Sequence, residues 1–125
     1  YIIYMKTQKK HNIRKKIHQI FFDIGKGKLH EIPQFYKCHN NNKQYCKDHG
    51  IQYKLWSRSQ IEKLLEKPKN KQFKKVYYDF NQDIQRIDFG RYLLLWNYGG
   101  IYIDLDICIM KNKSITHLFI IENSL

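Results

Sequence analysis

The 125-residue chain reads as an α/β sandwich, and three features predict that class. Short apolar runs rich in β-branched and aromatic residues alternate with longer amphipathic stretches. Glycine or proline stands at several of the junctions. A strongly apolar helix over residues 82–98 meets Gly99-Gly100 and passes directly into an apolar strand. Strands and helices in alternation bury their faces best as helices layered on a mostly parallel sheet, with ligands received at the carboxyl ends of the strands. The length allows one domain, divided as a lead-in over 1–15 and a folded part over 16–125.

Taken in order, residues 1–15 are expected to be a basic, mobile lead-in. Residues 16–22, KIHQIFF, form a first strand, which Gly25 and Gly27 end. The spacing predicts a helix over 33–48, opened by Pro33 and closed at Gly50, with Phe35, Cys38, Tyr45 and Cys46 as its apolar stripe. Residues 51–56 alternate as a second strand. Ser57 or Ser59 caps a short helix running through Glu66, with Ile61, Leu64 and Leu65 inward. Pro68 and the Lys/Asn stretch behind it predict an exposed loop. The helix over 82–98 stops where glycine can adopt a left-handed cap, and a strand over 101–110 follows. The chain opens on Tyr1 and closes on an apolar segment over 115–125, so a missing C-terminal part is expected.

Bulk composition narrows the function classes. A net charge of +12 gives general affinity for phosphates and acidic surfaces. The positive charge is mostly lysine, spread from Lys6 to Lys75 among many Asn, Ile and Tyr, a mixture that AT-rich coding produces unaided. Helix-turn-helix, zinc-finger and aromatic-sheet signatures are missing, so no specific nucleic-acid site is expected. Three cysteines, Cys38, Cys46 and Cys108, make an odd and sparse set, which points to a reducing, cytoplasmic setting. Cys38, His39, Cys46 and His49 match no common zinc spacing. No apolar run approaches the ~20 residues of a membrane span. Oligomeric state is not legible.

The chemistry concentrates in residues 97–110, NYGGIYIDLDICIM. A two-residue period puts Ile101, Ile103, Leu105, Ile107 and Ile109 on one face and Tyr102, Asp104 and Asp106 on the other. The two carboxylate positions then lie about 6–7 Å apart. Like charges side by side in a half-buried strand need a cation or donors to neutralise them. Hard oxygen ligands at this spacing suit Mg²⁺ or Mn²⁺, ions that commonly also hold substrate phosphates. One helix earlier, Asp88 and Arg91 share a face with Ile84 and Leu95. Gly90 between them disfavours the helix by roughly 1 kcal/mol relative to alanine, which implies close approach of a neighbour.

The stretch 86–106, RIDFGRYLLLWNYGGIYIDLD, resembles the D-x-x-R-y-x-x-L-x-x-x-G-G-x-Y-x-D-x-D signature of the DXD sugar-binding glycosyltransferases. Residues 17–20, IHQI, and 53–56, YKLW, are similar to that family's first and second strands. The resemblance, over about residues 15–112, implies a GT-A-like, Rossmann-like nucleotide-diphospho-sugar transferase fold. It implies transfer of a hexose from a nucleotide diphosphate sugar to a glycan, protein or lipid acceptor, with retention and dependence on Mn²⁺ or Mg²⁺. Asp104 and Asp106 become the catalytic, metal-binding and diphosphate motif. Asp88, Arg91, Tyr102 and Gln19 become contacts to the donor, and Phe21, where the family has Trp, stacks on the base. The family's acid just after the second-strand Trp is replaced by Ser57 and Arg58.

Three other readings compete with this one. Aspartate-nucleophile phosphohydrolases also carry Asp-x-Asp after an apolar strand, but near the chain start and followed by Thr or Val, where this chain has Ile107-Cys108. A basic nucleic-acid module is the non-enzyme alternative. An inactive donor-binding remnant is the third.

Overall fold

The computed structural model describes residues 2–5 as backbone and residues 15–111 in full. Four strands form one sheet: β1 (Ile2–Met5), β2 (Lys16–Ile20), β3 (Gln52–Trp56) and β4 (Gly100–Ile103). Their order is β1-β4-β2-β3. The strands β2, β3 and β4 run parallel, with Ile17 opposite both Tyr53 and Ile101, and β1 closes the edge antiparallel to β4. The α/β class with a parallel core is as the sequence predicts. Part of the expected lead-in is a strand instead. Ile2–Met5 is a short β-branched run that pairs along β4, while residues 6–14 lie outside the described residues, as does the apolar segment over 115–125.

Helices cover both faces. Helix α1 (Pro33–Asp48) starts with proline in its first turn and packs on one face. There Ile17, Tyr45, Cys46, Ile51, Ile101, Ile103 and Ile109 form one core cluster. The opposite face carries α2 (Arg58–Leu64), α3 (Lys71–Asp79) and α4 (Asp83–Tyr98). Ile20, Trp56, Ile61, Leu64, Leu65, Tyr77, Leu93, Leu94, Leu95 and Tyr102 form the second cluster. Strand alternation explains the division: Ile17 and Ile101 point to α1, whereas Ile20 and Tyr102 point to α4. Ser57 caps α2 by accepting from the Gln60 amide, and Gln60 returns the bond to the Ser57 amide.

Two boundaries depart from expectation. The stretch after Pro68 is a single 3₁₀ turn leading into α3, not an exposed loop. Its abundant lysines obscured the helix, yet Phe73 and Tyr77, four apart, anchor it to the core. The strand expected over 101–110 ends at Ile103. Beyond it a turn closes through the Ile107 amide donating to the Asp104 carbonyl (3.0 Å). Ile109 is nonetheless buried, so the two-residue period reported burial rather than strand pairing. Cys38 and Cys108 form a disulfide, and Cys46 is a buried free thiol. The zinc grouping of Cys38 with Cys46 therefore does not form.

The glycines at the α4–β4 junction have a local cause. Gly100 has φ +92°, and a Cβ there would stand 2.5 Å from the Lys16 carbonyl oxygen of β2. Gly90 fits the expected close approach: its Cβ position lies 3.1 Å from the Ile20 Cδ1. The α4 helix can thus lie directly on the sheet.

Candidate active site

At the carboxyl ends of β2 and β4 the chain encloses a cavity of about 290 Å³. Phe21 and Phe22 continue from β2, Arg91 and Ile87 reach in from α4, and Tyr102, Asp104 and Asp106 come from β4 and its following turn. The loop carrying Lys26, with Ile32 and Phe35 at the start of α1, completes the rim.

The charged centre is Arg91. Its Nη2 lies 2.9 Å from Asp88 Oδ1 and 3.1 Å from Asp104 Oδ1. The guanidinium also sits 5.5 Å from the centre of the Tyr102 ring. The Arg91 side chain is 18% exposed, Asp104 24% and Asp88 51%, so the ion pair with Asp104 is the sheltered one. Tyr102 thus lies beside both Arg91 and Asp104. Burial, then the adjacent Asp104 charge, push its proton affinity upward, so Tyr102 stays a neutral hydroxyl across the working pH range.

The turn changes how the aspartates are presented. They do not share a strand face as expected. Asp104 is partly sheltered against Arg91, while Asp106 stands exposed on the turn. Both line the cavity. Among the described residues no three His, Cys, Asp or Glu side chains gather as a ready ion cage. The donor set nevertheless suits Mg²⁺ or Mn²⁺, which bind through one or two carboxylates and take their remaining oxygens from water and phosphates.

Of the seven residues singled out from sequence, Phe21, Arg91, Tyr102, Asp104 and Asp106 line one cavity. Asp88 is reached through Arg91. Gln19 is fully buried behind the site. Its Nε2 donates to the Asp104 carbonyl (3.0 Å), and its Oε1 accepts from the Tyr53 hydroxyl (2.7 Å). The IHQ and YxxW segments are thus joined structurally. The His18 Nδ1 accepts from the Trp56 indole (3.1 Å), so its Nε2 carries the proton donated to the Gly99 carbonyl (2.9 Å). Burial pushes the His18 pKa down to about 4. Sequence reasoning missed Lys26 and Asn42. Asn42 carries an inward position on α1 between the apolar residues Cys38 and Cys46, which was the available signal.

The glycosyltransferase sugar-binding region containing the DXD motif matches residues 29–124. Inositol phosphoceramide mannosyltransferase 1 of Schizosaccharomyces pombe is 31% identical over 97 residues, covering 76% of this chain and 28% of that protein. Mannosyl phosphorylinositol ceramide synthase of Saccharomyces cerevisiae is 33% identical over 96 residues, 75% of this chain and 22% of the other. An uncharacterized glycosyltransferase of Acanthamoeba polyphaga mimivirus is 29% identical over 97 residues, 77% of this chain and 36% of the other. The matched part is thus about a quarter to a third of those relatives' length. No solved structure matches. With the signature residues gathered at one cavity and the family match spanning most of its length, the chain belongs to the DXD-containing glycosyltransferase sugar-binding family.

Proposed function

We propose that this chain forms the donor-binding part of a GT-A-like, metal-dependent glycosyltransferase. It takes a nucleoside diphosphate hexose and passes the sugar, with retained anomeric configuration, to a glycan, protein or lipid acceptor. The single observation that carries this reading is the Asp88–Arg91–Asp104–Tyr102 cluster at the carboxyl ends of two parallel strands, beside an aromatic wall at Phe21. Such strand ends are where α/β sheets receive nucleotides.

The residues divide the work by chemistry. Asp104 and Asp106 would hold Mn²⁺ or Mg²⁺, which supplies neutralisation of the charge that develops on the departing nucleoside diphosphate. Arg91 adds fixed positive charge beside that position. Asp88, at the exposed end of the Arg91 pair, accepts hydrogen bonds from sugar hydroxyls and sets the sugar's orientation. Tyr102, with its ring 5.5 Å from the Arg91 guanidinium, packs against that side chain and helps keep it in place. Phe21 offers an aromatic face to the base, with less area than the Trp common in the family.

The mannosyl transfer in the names of the two fungal relatives makes mannose the first sugar to test. Incubation with guanosine and uridine diphosphate mannose and Mn²⁺ should release nucleoside diphosphate, and anomer-resolved NMR should show retention in any transferred product. Sugar release that persists undiminished in Asp106→Ala with chelator present would refute the reading.

A further inference from the structure

A buried asparagine lies behind the candidate site and grips the turn that carries the aspartates. Asn42 of α1 is fully buried. Its Nδ2 donates to the Ile107 carbonyl (2.8 Å) and to Gln19 Oε1 (3.3 Å). Its Oδ1 accepts from the Ile109 amide (2.8 Å) and from Asn41 Nδ2 (3.1 Å). Asn41 Nδ2 in turn donates to the Ile109 carbonyl (2.8 Å). Gln19, held by Asn42 and Tyr53, donates to the Asp104 carbonyl (3.0 Å).

These bonds fall where the sheet stops. Beyond Ile103 the backbone has no partner strand among the described residues, and buried peptide groups need partners. Asn41, Asn42 and Gln19 side chains supply them at Asp104, Ile107 and Ile109. The amide orientations are fixed by matching. Flipping Gln19 would set its oxygen against the Asp104 carbonyl, and flipping Asn42 would set amide against amide at Ile109. Asp106 is exposed between two gripped points, Asp104 and Ile107. Its placement relative to Asp104 therefore depends on the clamp rather than on strand geometry.

We infer that Asn42 is a positioning residue for the candidate metal–diphosphate site: through Ile107, Ile109 and Gln19 it fixes the turn that presents Asp104 and Asp106 together. The inference rests on the donor-site reading above. It asks for pre-organisation, because two carboxylates on a loose turn must be ordered before they can share one ion.

The test measures the affinity of the 125-residue chain for guanosine diphosphate by calorimetry, with and without Mn²⁺, in wild type, Asp106→Asn, Asn42→Asp and Asn41→Ala. Asn42→Asp is nearly isosteric, keeps the acceptor for Ile109 and turns acceptors toward Ile107 and Gln19. Asn41→Ala removes two partly buried bonds, to Asn42 and to the Ile109 carbonyl, while favouring the helix, and it is the folded test in case Asn42→Asp does not fold. The metal-dependent gain in affinity is expected to fall at least tenfold in Asn42→Asp. In Asn41→Ala it should fall about fivefold, the scale of two weak hydrogen bonds. Affinity without metal should hardly move. A merely structural role would lower the melting temperature and leave the metal-dependent gain of the folded protein intact, and that result overturns the inference. Wild-type binding that Asp106→Asn abolishes but Asn42→Asp retains overturns it alone. Absence of metal-dependent binding in the unaltered chain overturns the donor-site reading beneath it.

Discussion

Replacing Gly100 with alanine should destabilise the fold more than any comparable glycine change, and the structure says by how much. The added Cβ would lie 2.5 Å from the Lys16 carbonyl oxygen and 3.3 Å from His18 Nε2. The first neighbour is backbone of the adjacent strand and cannot rotate away. The second is a ring held at Gly99 and Trp56. A left-handed backbone carrying a side chain costs about 1–2 kcal/mol, and overpacking a well-filled interior adds about 1–3 kcal/mol. The sum, roughly 2–5 kcal/mol, corresponds to a fall of about 10–20 °C in Tm for a domain of this size. Gly25→Ala is the control, because φ there is +88° but no heavy atom lies within 4 Å of the Cβ position. It should show the backbone strain alone, about 1–2 kcal/mol. Thermal melts followed by circular dichroism measure both. Equal shifts in the two variants would refute the close approach of β4 to β2, and with it the physical reason for glycine at this point of the signature.

Three further outcomes follow from other parts of the structure. Since the His18 pKa is about 4 in the fold and 6.5 unfolded, the unfolded chain binds the extra proton between those values. Stability from this group is complete above pH 6.5 and declines toward pH 4, by roughly 3 kcal/mol in all. Nitrogen-resolved NMR at pH 5.5 should show a neutral ring protonated at Nε2, and an imidazolium would contradict it. Asp88→Ala should lower stability by under about 1 kcal/mol, as for exposed pairs, while weakening donor-sugar binding measured by calorimetry; unchanged binding would return the pair to a surface role. Denatured without reductant, the chain should titrate one thiol, Cys46, given the Cys38–Cys108 bond. Three thiols would instead mean the reduced form that cytoplasmic residence implies.

The local chemistry of the sequence carried much of the fold. Pro33, Ser57 and the Gly99-Gly100 pair are each stop or start signals with a backbone cause, and the helices they bound appear where expected. Helix α3 was hidden because its lysines face water while Phe73 and Tyr77, spaced for a helix, do the anchoring. The end of β4 was misplaced for a deeper reason: Ile107 and Ile109 alternate like strand residues because they pack into the core cluster that includes Tyr45 and Cys46 of α1. Periodicity senses burial, whereas strand pairing depends on a neighbour that the sequence does not name. The site residues were legible as types at a spacing, yet Arg91 joining Asp104 required the α4–β4 crossing. The role of Gln19 was hardest to read. The resemblance implied a donor contact, whereas its side-chain partners, Asn42 and Tyr53, lie 23 and 34 residues away.

On the reading proposed, Asp104 and Asp106 act as a pair toward a metal-bound diphosphate. Calorimetry of the chain with guanosine and uridine diphosphate mannose, in Mn²⁺ and again in chelator, tests it most directly, with Asp104→Asn and Asp106→Asn alongside. Binding is expected to require the ion and to be lost in either variant, while both variants retain the wild-type melting temperature to within a few degrees. Equal binding in chelator, or in a folded Asp106→Asn chain, would contradict it.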